Sequence, residues 1–188
     1  ELTSGVEIKN AGGYVITVTF NAEAAGAGNY SVGDFTSLEI GYTVTAKTIT
    51  ITFDGYEGLT YDGQARTLTA TADFVSDENI DLNALIAYTG NVTDGKAVNA
   101  GSYTATITKA QIEEQNANYT LAAESVTQEF TISPATLTLT QAAGATLTRP
   151  YDGMVTEATS FLTETYVTIT GGVSGENIYG MLNAELTS

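Results

Sequence analysis

The chain has 188 residues, with no cysteine, histidine or tryptophan, and its 22 acidic residues against six basic ones give a formal charge of −16. Without histidine or cysteine there is no Ser-His or Cys-His nucleophile and no imidazole metal ligand, so we expect no enzyme activity and no cofactor. The basic residues are scattered singly, whereas a phosphate-binding surface needs clustered cations, and no apolar run approaches the roughly 20 residues that span a bilayer. We therefore expect that the chain does not bind nucleic acid and does not insert directly into a membrane.

Threonine is the dominant strand residue of this chain, with 33 copies. It alternates with Ile, Val, Leu and Ala in TITITF (48–53), TATIT (104–108) and TLTLT (136–140). Strict alternation is typical of a strand that is buried on one face, and β-branched threonine suits a pleated surface. The pattern predicts an all-β chain, with a strand content of at least about 40% and a helix content below about 10%, against the averages of globular proteins. A polar stretch, QIEEQNAN (111–118), is predicted to form a short helical turn.

Two stretches of the chain repeat one another. NAGGYVITVT begins at Asn10 and NAGSYTATIT begins at Asn99, and each is followed by Asn-Tyr-Ser or Asn-Tyr-Thr 16 residues after its first tyrosine. Tyr-Asp-Gly occurs at Tyr61 and again at Tyr151. Self-similarity at a fixed period indicates one structural unit, here of about 90 residues, that is used more than once.

The repeat predicts three segments. Residues 47–134 form one complete unit, 1–46 the second half of a unit, and 135–188 the first half of a further unit, in which VSGENI (173–178) echoes VSDENI (75–80). An isolated half-sandwich would expose an apolar face and an unpaired strand edge. We therefore expect each half to be completed by another copy or an adjacent repeat, in a head-to-tail array.

A further recurrence fits this organisation. The sequence starts with Glu-Leu-Thr-Ser and ends with Glu-Leu-Thr-Ser at residues 185–188. One interpretation is a period of 184 residues taken from a longer repeating run, and the alternative is coincidence in a chain rich in threonine and leucine. Both interpretations leave open whether the copies are separate chains or one polypeptide.

The candidate residues are structural. Asn and Gly tolerate the tight turn before each repeated tyrosine, whose ring we expect in the core with its hydroxyl bonded to backbone, and Asp in Tyr-Asp-Gly is expected to bond local amides. In particular, the rings of Tyr14, Tyr30, Tyr103 and Tyr119 are predicted to be mostly buried. The full set is Asn10, Gly12, Tyr14, Tyr30, Tyr61, Asp62, Gly63, Asn99, Gly101, Tyr103, Tyr119, Tyr151, Asp152 and Gly153.

The acidic loop after Ser76 is a weak candidate for calcium. Asp77, Glu78 and Asp81 offer carboxylates at short spacing, which hard cations favour. The equivalent loop keeps Glu176 but has Gly175 in place of Asp77, and the spacing of a dedicated calcium loop is missing. A solvated loop without metal is the preferred interpretation.

The motifs resemble those of a known group. NAGxYxxxxT, then NYT, then FTIxxAxLT is similar to the mostly-β, glycine-rich repeat of bacterial surface proteins, and Tyr-Asp-Gly with VSGEN resembles the related YDG-type repeat. The resemblance implies tandem immunoglobulin-like β-sandwich repeats in an extracellular stalk, filament or surface layer at the cell surface, and it carries no catalytic residues. The alternative is an adhesin module that binds host glycan or protein.

Overall fold

The structure is a computed structural model and describes residues 8–146, 148, 150–154 and 158–185. Among the described residues, strands and bridges make up 35% and helices, with the 3₁₀ turns included, 12%. The prediction of a β-rich fold is confirmed, but both predicted thresholds are wrong, since there is less strand and more helix than expected. The reason is that several connections without threonine alternation form single helical turns. Of the recurring Glu-Leu-Thr-Ser phrase, residues 1–4 and 186–188 lie outside the described residues.

Eleven strands and one α-helix are found in the described part of the chain. The strands are β1 (Gly12–Val18), β2 (Leu38–Val44), β3 (Lys47–Thr48), β4 (Ile51–Asp54), β5 (Thr69–Ala72), β6 (Ala87–Gly90), β7 (Gly101–Thr108), β8 (Tyr119–Thr120), β9 (Ser125–Ile132), β10 (Thr138–Gln141) and β11 (Val167–Thr170). The helix is α1 (Lys109–Gln115), and 3₁₀ turns form at Ala27–Asn29, Leu82–Leu85, Ala158–Phe161 and Tyr179–Met181.

The strands form small sheets. Antiparallel pairs are β1 with β2, β4 with β5, and β10 with β11, while β3 and β8 pair in parallel and β6, β7 and β9 form a three-stranded sheet in that order. Tyr14 lies opposite Tyr42 in the hairpin of β1 and β2, called here the N-terminal hairpin. Between β6 and β7, Asp94 and Gly95 both have positive φ (50° and 72°), as a tight two-residue hairpin turn requires.

The predicted helical turn is confirmed as α1. Its first turn is closed by a capping box: the Thr108 hydroxyl accepts from the Gln111 amide at 3.3 Å, and the Gln111 side chain accepts from the Thr108 amide at 2.8 Å. These two bonds satisfy backbone donors that a helix start leaves without partners. The side chain of Ile112 is completely buried and packs the helix against the core.

The chain folds as two compact units. Unit 1 contains the chain up to Asp54 with Thr69–Ala87 and Thr106–Thr127, and unit 2 contains Gly55–Leu68, Tyr88–Ala105 and the chain from Gln128 onward. This division follows spatial contact. The predicted boundaries at 46/47 and 134/135 follow the repeat in sequence, and they stay a prediction.

The buried apolar residues lie between Ile49 and Ile132 in the part of the chain that the structure describes. β7 shows how the pattern produces them: Tyr103, Ala105 and Ile107 alternate with threonines and are buried, so one face of the strand is apolar. In unit 1 the core comprises Ile49, Ile51, Phe53, Ala70, Leu82, Ile107, Ile112, Tyr119 and Leu121, and in unit 2 it comprises Leu68, Ala97, Tyr103, Ala105, Phe130 and Ile132.

The four repeated tyrosines do not behave alike. Tyr103 and Tyr119 are buried, as predicted. Tyr14 is of intermediate exposure, which agrees with the prediction that most of its ring is buried. The prediction is wrong for Tyr30, which is 75% exposed. The physical reason is that Tyr30 belongs to the segment around the N-terminal hairpin, whose apolar side chains are largely exposed in this structure.

Candidate interaction surfaces

The Asn-Ala-Gly-x-Tyr motif has the same local bond in both copies. The Tyr14 hydroxyl donates to the Asn10 carbonyl at 2.7 Å, and the Tyr103 hydroxyl donates to the Asn99 carbonyl at 2.6 Å. The Tyr103 hydroxyl also lies 2.9 Å from the Asn91 carbonyl. The predicted bond from the tyrosine hydroxyl to backbone is confirmed at both positions.

The Tyr-Asp-Gly motif is also a turn of one geometry. Asp62 accepts from the amide two residues ahead at 3.0 Å, and Asp152 does the same at 2.9 Å. Each carboxylate thus holds its own reversal, as predicted. The four motif glycines all have positive φ, which favours glycine: Gly12 (155°), Gly63 (78°), Gly101 (153°) and Gly153 (74°).

The two Val-Ser-x-Glu-Asn-Ile segments form a third matching turn. The Glu78 amide donates to Val75 at 3.1 Å, and the Glu176 amide donates to Val173 at 3.2 Å. Inside the first turn, Asp77 has a φ of 67°, and at the equivalent position of the second turn Gly175 has a φ of 91°. A left-handed residue is needed there, and Gly and Asp both tolerate it, so the difference between the loops has a conformational reason.

The three calcium candidates have separate roles. Asp77 occupies the left-handed position of the turn, Glu78 accepts a hydrogen bond from Tyr119 at 2.8 Å, and Asp81 accepts from the Ala84 amide at 3.4 Å at the start of a 3₁₀ turn. Among the described residues, no three acidic side chains are grouped so that they could hold a metal ion.

A pocket of about 250 Å³ lies in unit 1 and is called here the unit 1 pocket. The Tyr119 hydroxyl donates to Glu78 at 2.8 Å and accepts from the Val75 amide at 3.2 Å. Burial, and next the bond to Glu78, raise the pKa of Tyr119 above its ordinary value. The pocket is lined by Lys9, Ala11, Val44, Thr45, Lys47, Val75, Glu78, Asn118 and Tyr119.

Asn118 connects two walls of the unit 1 pocket. Its side-chain carbonyl accepts from the Ala11 amide at 2.7 Å, and its side-chain amide donates to the Asn10 side chain at 3.1 Å. The Asn118 backbone carbonyl accepts from the Lys47 amide at 2.8 Å, which begins the parallel pairing of β3 with β8. One Asn-Tyr pair therefore closes this pocket by backbone and side-chain bonds together.

A pocket of about 280 Å³ lies in unit 2 and is called here the unit 2 pocket. The Tyr61 hydroxyl donates to Glu176 there, and this bond is the main reason that the pKa of Tyr61 is raised. The pocket is lined by Tyr61, Asn99, Ala100, Pro134, Ala135, Leu137, Gly171, Gly172, Val173, Glu176, Ile178 and Met181.

The two pockets share walls that the sequence repeat makes equivalent. Ala11 corresponds to Ala100 in the Asn-Ala-Gly turn, and Lys47 corresponds to Ala135 at the junction of units. The third wall is the Val-Ser-x-Glu turn, which supplies Val75 and Glu78 to one pocket and Val173 and Glu176 to the other. One difference between them is that an Asn-Tyr pair lines the unit 1 pocket, and none is found among the described residues that line the unit 2 pocket.

Sequence reasoning found the turns and missed their use. Glu78, Glu176 and Asn118 were not among the predicted site residues, apart from Glu78 as a weak calcium candidate. The echo between VSDENI and VSGENI carried the signal, because the glutamate is retained together with every other residue of the segment except the one that precedes it.

No helix among the described residues is long and apolar enough to cross a membrane. No known protein-family model matches the chain, and no curated protein or solved structure is significantly similar to it.

Proposed function

We propose that this chain is a structural segment of an extracellular bacterial stalk, filament or surface layer. It is built from tandem immunoglobulin-like β-sandwich repeats of about 90 residues, and these assemble head to tail with other copies or adjacent repeats. The array is a spacer, and no site of chemistry is assigned to it.

One observation carries this proposal: positions equivalent in the repeat are buried in one copy and exposed in the other. Ala105, Ile107 and Phe130 are 0–6% exposed. Their equivalents in the N-terminal hairpin, Ile16, Val18 and Tyr42, are 40–47% exposed. A contiguous apolar face of this kind marks an interaction surface, because burying it is favourable by about 25 cal/mol per Å².

A repeat array explains this difference directly. In solenoids and tandem arrays each unit is stabilised partly by its neighbours, and a unit that lacks one presents an uncovered face. A head-to-tail contact that does not close on itself continues as a filament. The strong negative charge is compatible with this, since it opposes unspecific association outside the complementary contact.

The experiment is the mass of the chain in solution as a function of concentration. Light scattering should show the 19.6 kDa chain giving way to an open-ended series of larger species as concentration rises, with filaments visible by electron microscopy. Ile16→Asp should abolish this association. Thr17→Asp is the matched control, because neighbouring residues of a strand point to opposite faces. A wild-type chain that stays monomeric at millimolar concentration contradicts the proposal.

A further inference from the structure

We infer that the unit 2 pocket receives Asn29, Tyr30 and Ser31 of a second copy of this chain. There Asn29 and Tyr30 supply the wall that Asn118 and Tyr119 supply to the unit 1 pocket, and Ser31 takes the place that Thr120 has in the strand pairing beside it. This inference rests on the proposed function, because it names the surfaces through which the copies assemble.

The unit 1 pocket shows what the occupant must supply. It needs a backbone carbonyl for the amide of the junction residue, an asparagine side chain for the Asn-Ala turn, and a tyrosine hydroxyl for the glutamate of the Val-Ser-x-Glu turn. Asn118 and Tyr119 meet all three needs. The bond to a carboxylate is of the strong, charge-assisted kind.

The unit 2 pocket has the same receiving groups. Ala100 stands at the position of Ala11, Ala135 at that of Lys47, and Glu176 at that of Glu78. Its lining is mostly apolar, with Leu137, Val173 and Ile178 among its residues. An aromatic ring with a hydroxyl at its tip suits such a cavity, because it buries apolar surface and still finds a polar partner.

Residues 29–31 are the segment of this sequence that matches the occupant. Tyr30 follows Tyr14 at the spacing that separates Tyr119 from Tyr103. The local turn is also the same, since the Tyr30 amide donates to the carbonyl three residues earlier at 3.0 Å, and the Tyr119 amide does so at the same distance. The Tyr30 segment therefore shares with the Tyr119 segment the backbone bond that precedes the tyrosine.

The occupant comes from another copy because Tyr30 is open to solvent among the described residues of its own chain. It is 75% exposed, whereas the equivalent Tyr119 is 1% exposed. A reciprocal residue exists at the other end of the joint: Tyr151 is equivalent to Tyr61 and is 98% exposed. Tyr61 donates to Glu176, so the partner for Tyr151 is Glu78 of the following copy.

Each contact between two copies then contains two tyrosine–glutamate hydrogen bonds, and each copy donates one of them and accepts the other. A glutamate of the Val-Ser-x-Glu turn is held by one tyrosine from its own repeat and one from the repeat before it. The contact is heterologous and does not close, which yields an open filament. By equivalence with Lys47 and Ile49, whose amides donate to Asn118 and Thr120 at 2.8 and 2.9 Å, the joint adds a short parallel strand pairing at Ala135 and Leu137.

A cysteine cross-link tests the geometry, and the absence of native cysteine makes it clean. Thr48 and Thr120 are direct partners in the pairing of β3 with β8, so T48C/T120C should form a disulfide within one chain and serves as the positive control. The equivalent pair is Thr136 and Ser31. Chains carrying S31C, mixed with chains carrying T136C under mild oxidation, should give a dimer that contains one chain of each kind, in excess over either chain alone.

Two conservative variants test the energetics. Tyr30→Phe and Glu176→Gln each weaken a charge-assisted hydrogen bond, so we expect the dissociation constant for self-association to rise about tenfold or more. Glu129→Gln is the matched control, because Glu129 is an exposed glutamate of β9 outside the unit 2 pocket. Circular dichroism establishes that each variant keeps the wild-type fold.

The outcomes separate this inference from the proposed function. Specific cross-linking with weakened association of Y30F and E176Q supports both. A chain that associates normally, gives no S31C–T136C product and is unaffected by Y30F and E176Q overturns this inference and leaves the structural array standing. A chain that remains monomeric at every concentration overturns both.

Discussion

Replacing Tyr103 with Phe removes one hydroxyl and leaves the ring, which stacks on Phe130 at a centroid distance of 5.3 Å. The hydroxyl donates to the Asn99 carbonyl at 2.6 Å and lies 2.9 Å from the Asn91 carbonyl. Tyr103 is only 2% exposed, so water cannot easily replace the lost donor. The bonds to the two carbonyls are part-buried, so we expect Y103F to lose the net contribution of one hydrogen bond, about 0.5–1.5 kcal/mol of unfolding free energy.

The repeat provides a matched control for this variant. Tyr14 makes the same bond to Asn10, but in the exposed N-terminal hairpin, where water can bond the carbonyl after Tyr14→Phe. We therefore expect Y14F to change the unfolding free energy by less than about 0.5 kcal/mol. Tyr103→Ala also removes the ring and should cost about 3–5 kcal/mol.

Urea unfolding followed by tyrosine fluorescence measures these differences, since the chain has no tryptophan. For a chain of this size, about 1 kcal/mol corresponds to about 2–4 °C in melting temperature, so Y103F should lower Tm by about 1–6 °C. Equal losses for Y103F and Y14F, or no loss for Y103F, would refute the reasoning that burial gives this bond its weight.

Three further predictions follow from single residues. A hydrogen bond from the Thr50 amide, and next the neighbouring Lys47, lower the pKa of Asp73 below its usual 3.8. The contribution of Asp73 to stability is therefore present above pH 3.8 and is lost as the pH falls through the lower pKa of the folded state. D73N should accordingly flatten the acid side of the curve of Tm against pH, and D34N should not. A Cβ at Gly90 would lie 2.3 Å from a carbonyl oxygen of β7, whereas one at Gly95 meets nothing within 4 Å. G95A should thus cost about 1–2 kcal/mol in urea unfolding and G90A at least about 1 kcal/mol more, and equal costs would show that the strand can yield. Chelation with EDTA should lower Tm by less than about 10 °C, and a larger drop would reinstate the acidic loop as a calcium site.

The turns of this protein were predictable because they depend on residues adjacent in sequence. Asp62 and Asp152 hold the same reversal, although one neighbouring tyrosine is half-buried and the other is exposed. The bond from Tyr14 to Asn10 likewise forms without a core around it. Such short-range geometry is encoded by side-chain donors, acceptors and allowed φ, so it survives in any surroundings.

The roles of the glutamates could not be predicted in this way. Tyr119 and Glu78 are 41 residues apart, and Tyr61 and Glu176 are 115 apart, yet each pair is joined by a hydrogen bond. Sequence spacing does not state which turn meets which tyrosine. The acidic loop therefore suggested a metal site, while in the folded chain the carboxylate of Glu78 accepts a hydrogen bond from the Tyr119 hydroxyl.

The amino-acid sequence alone determined the strand-rich composition and the conformation of each repeated turn, because alternation and local hydrogen bonding act within a few residues. Burial was decided only by tertiary structure. Tyr30 and Tyr119 both follow an asparagine, and the amide of each donates to the carbonyl three residues earlier, yet Tyr30 is exposed while Tyr119 is in the core. The difference lies in what packs against each ring, since apolar side chains leave water only where other parts of the fold cover them.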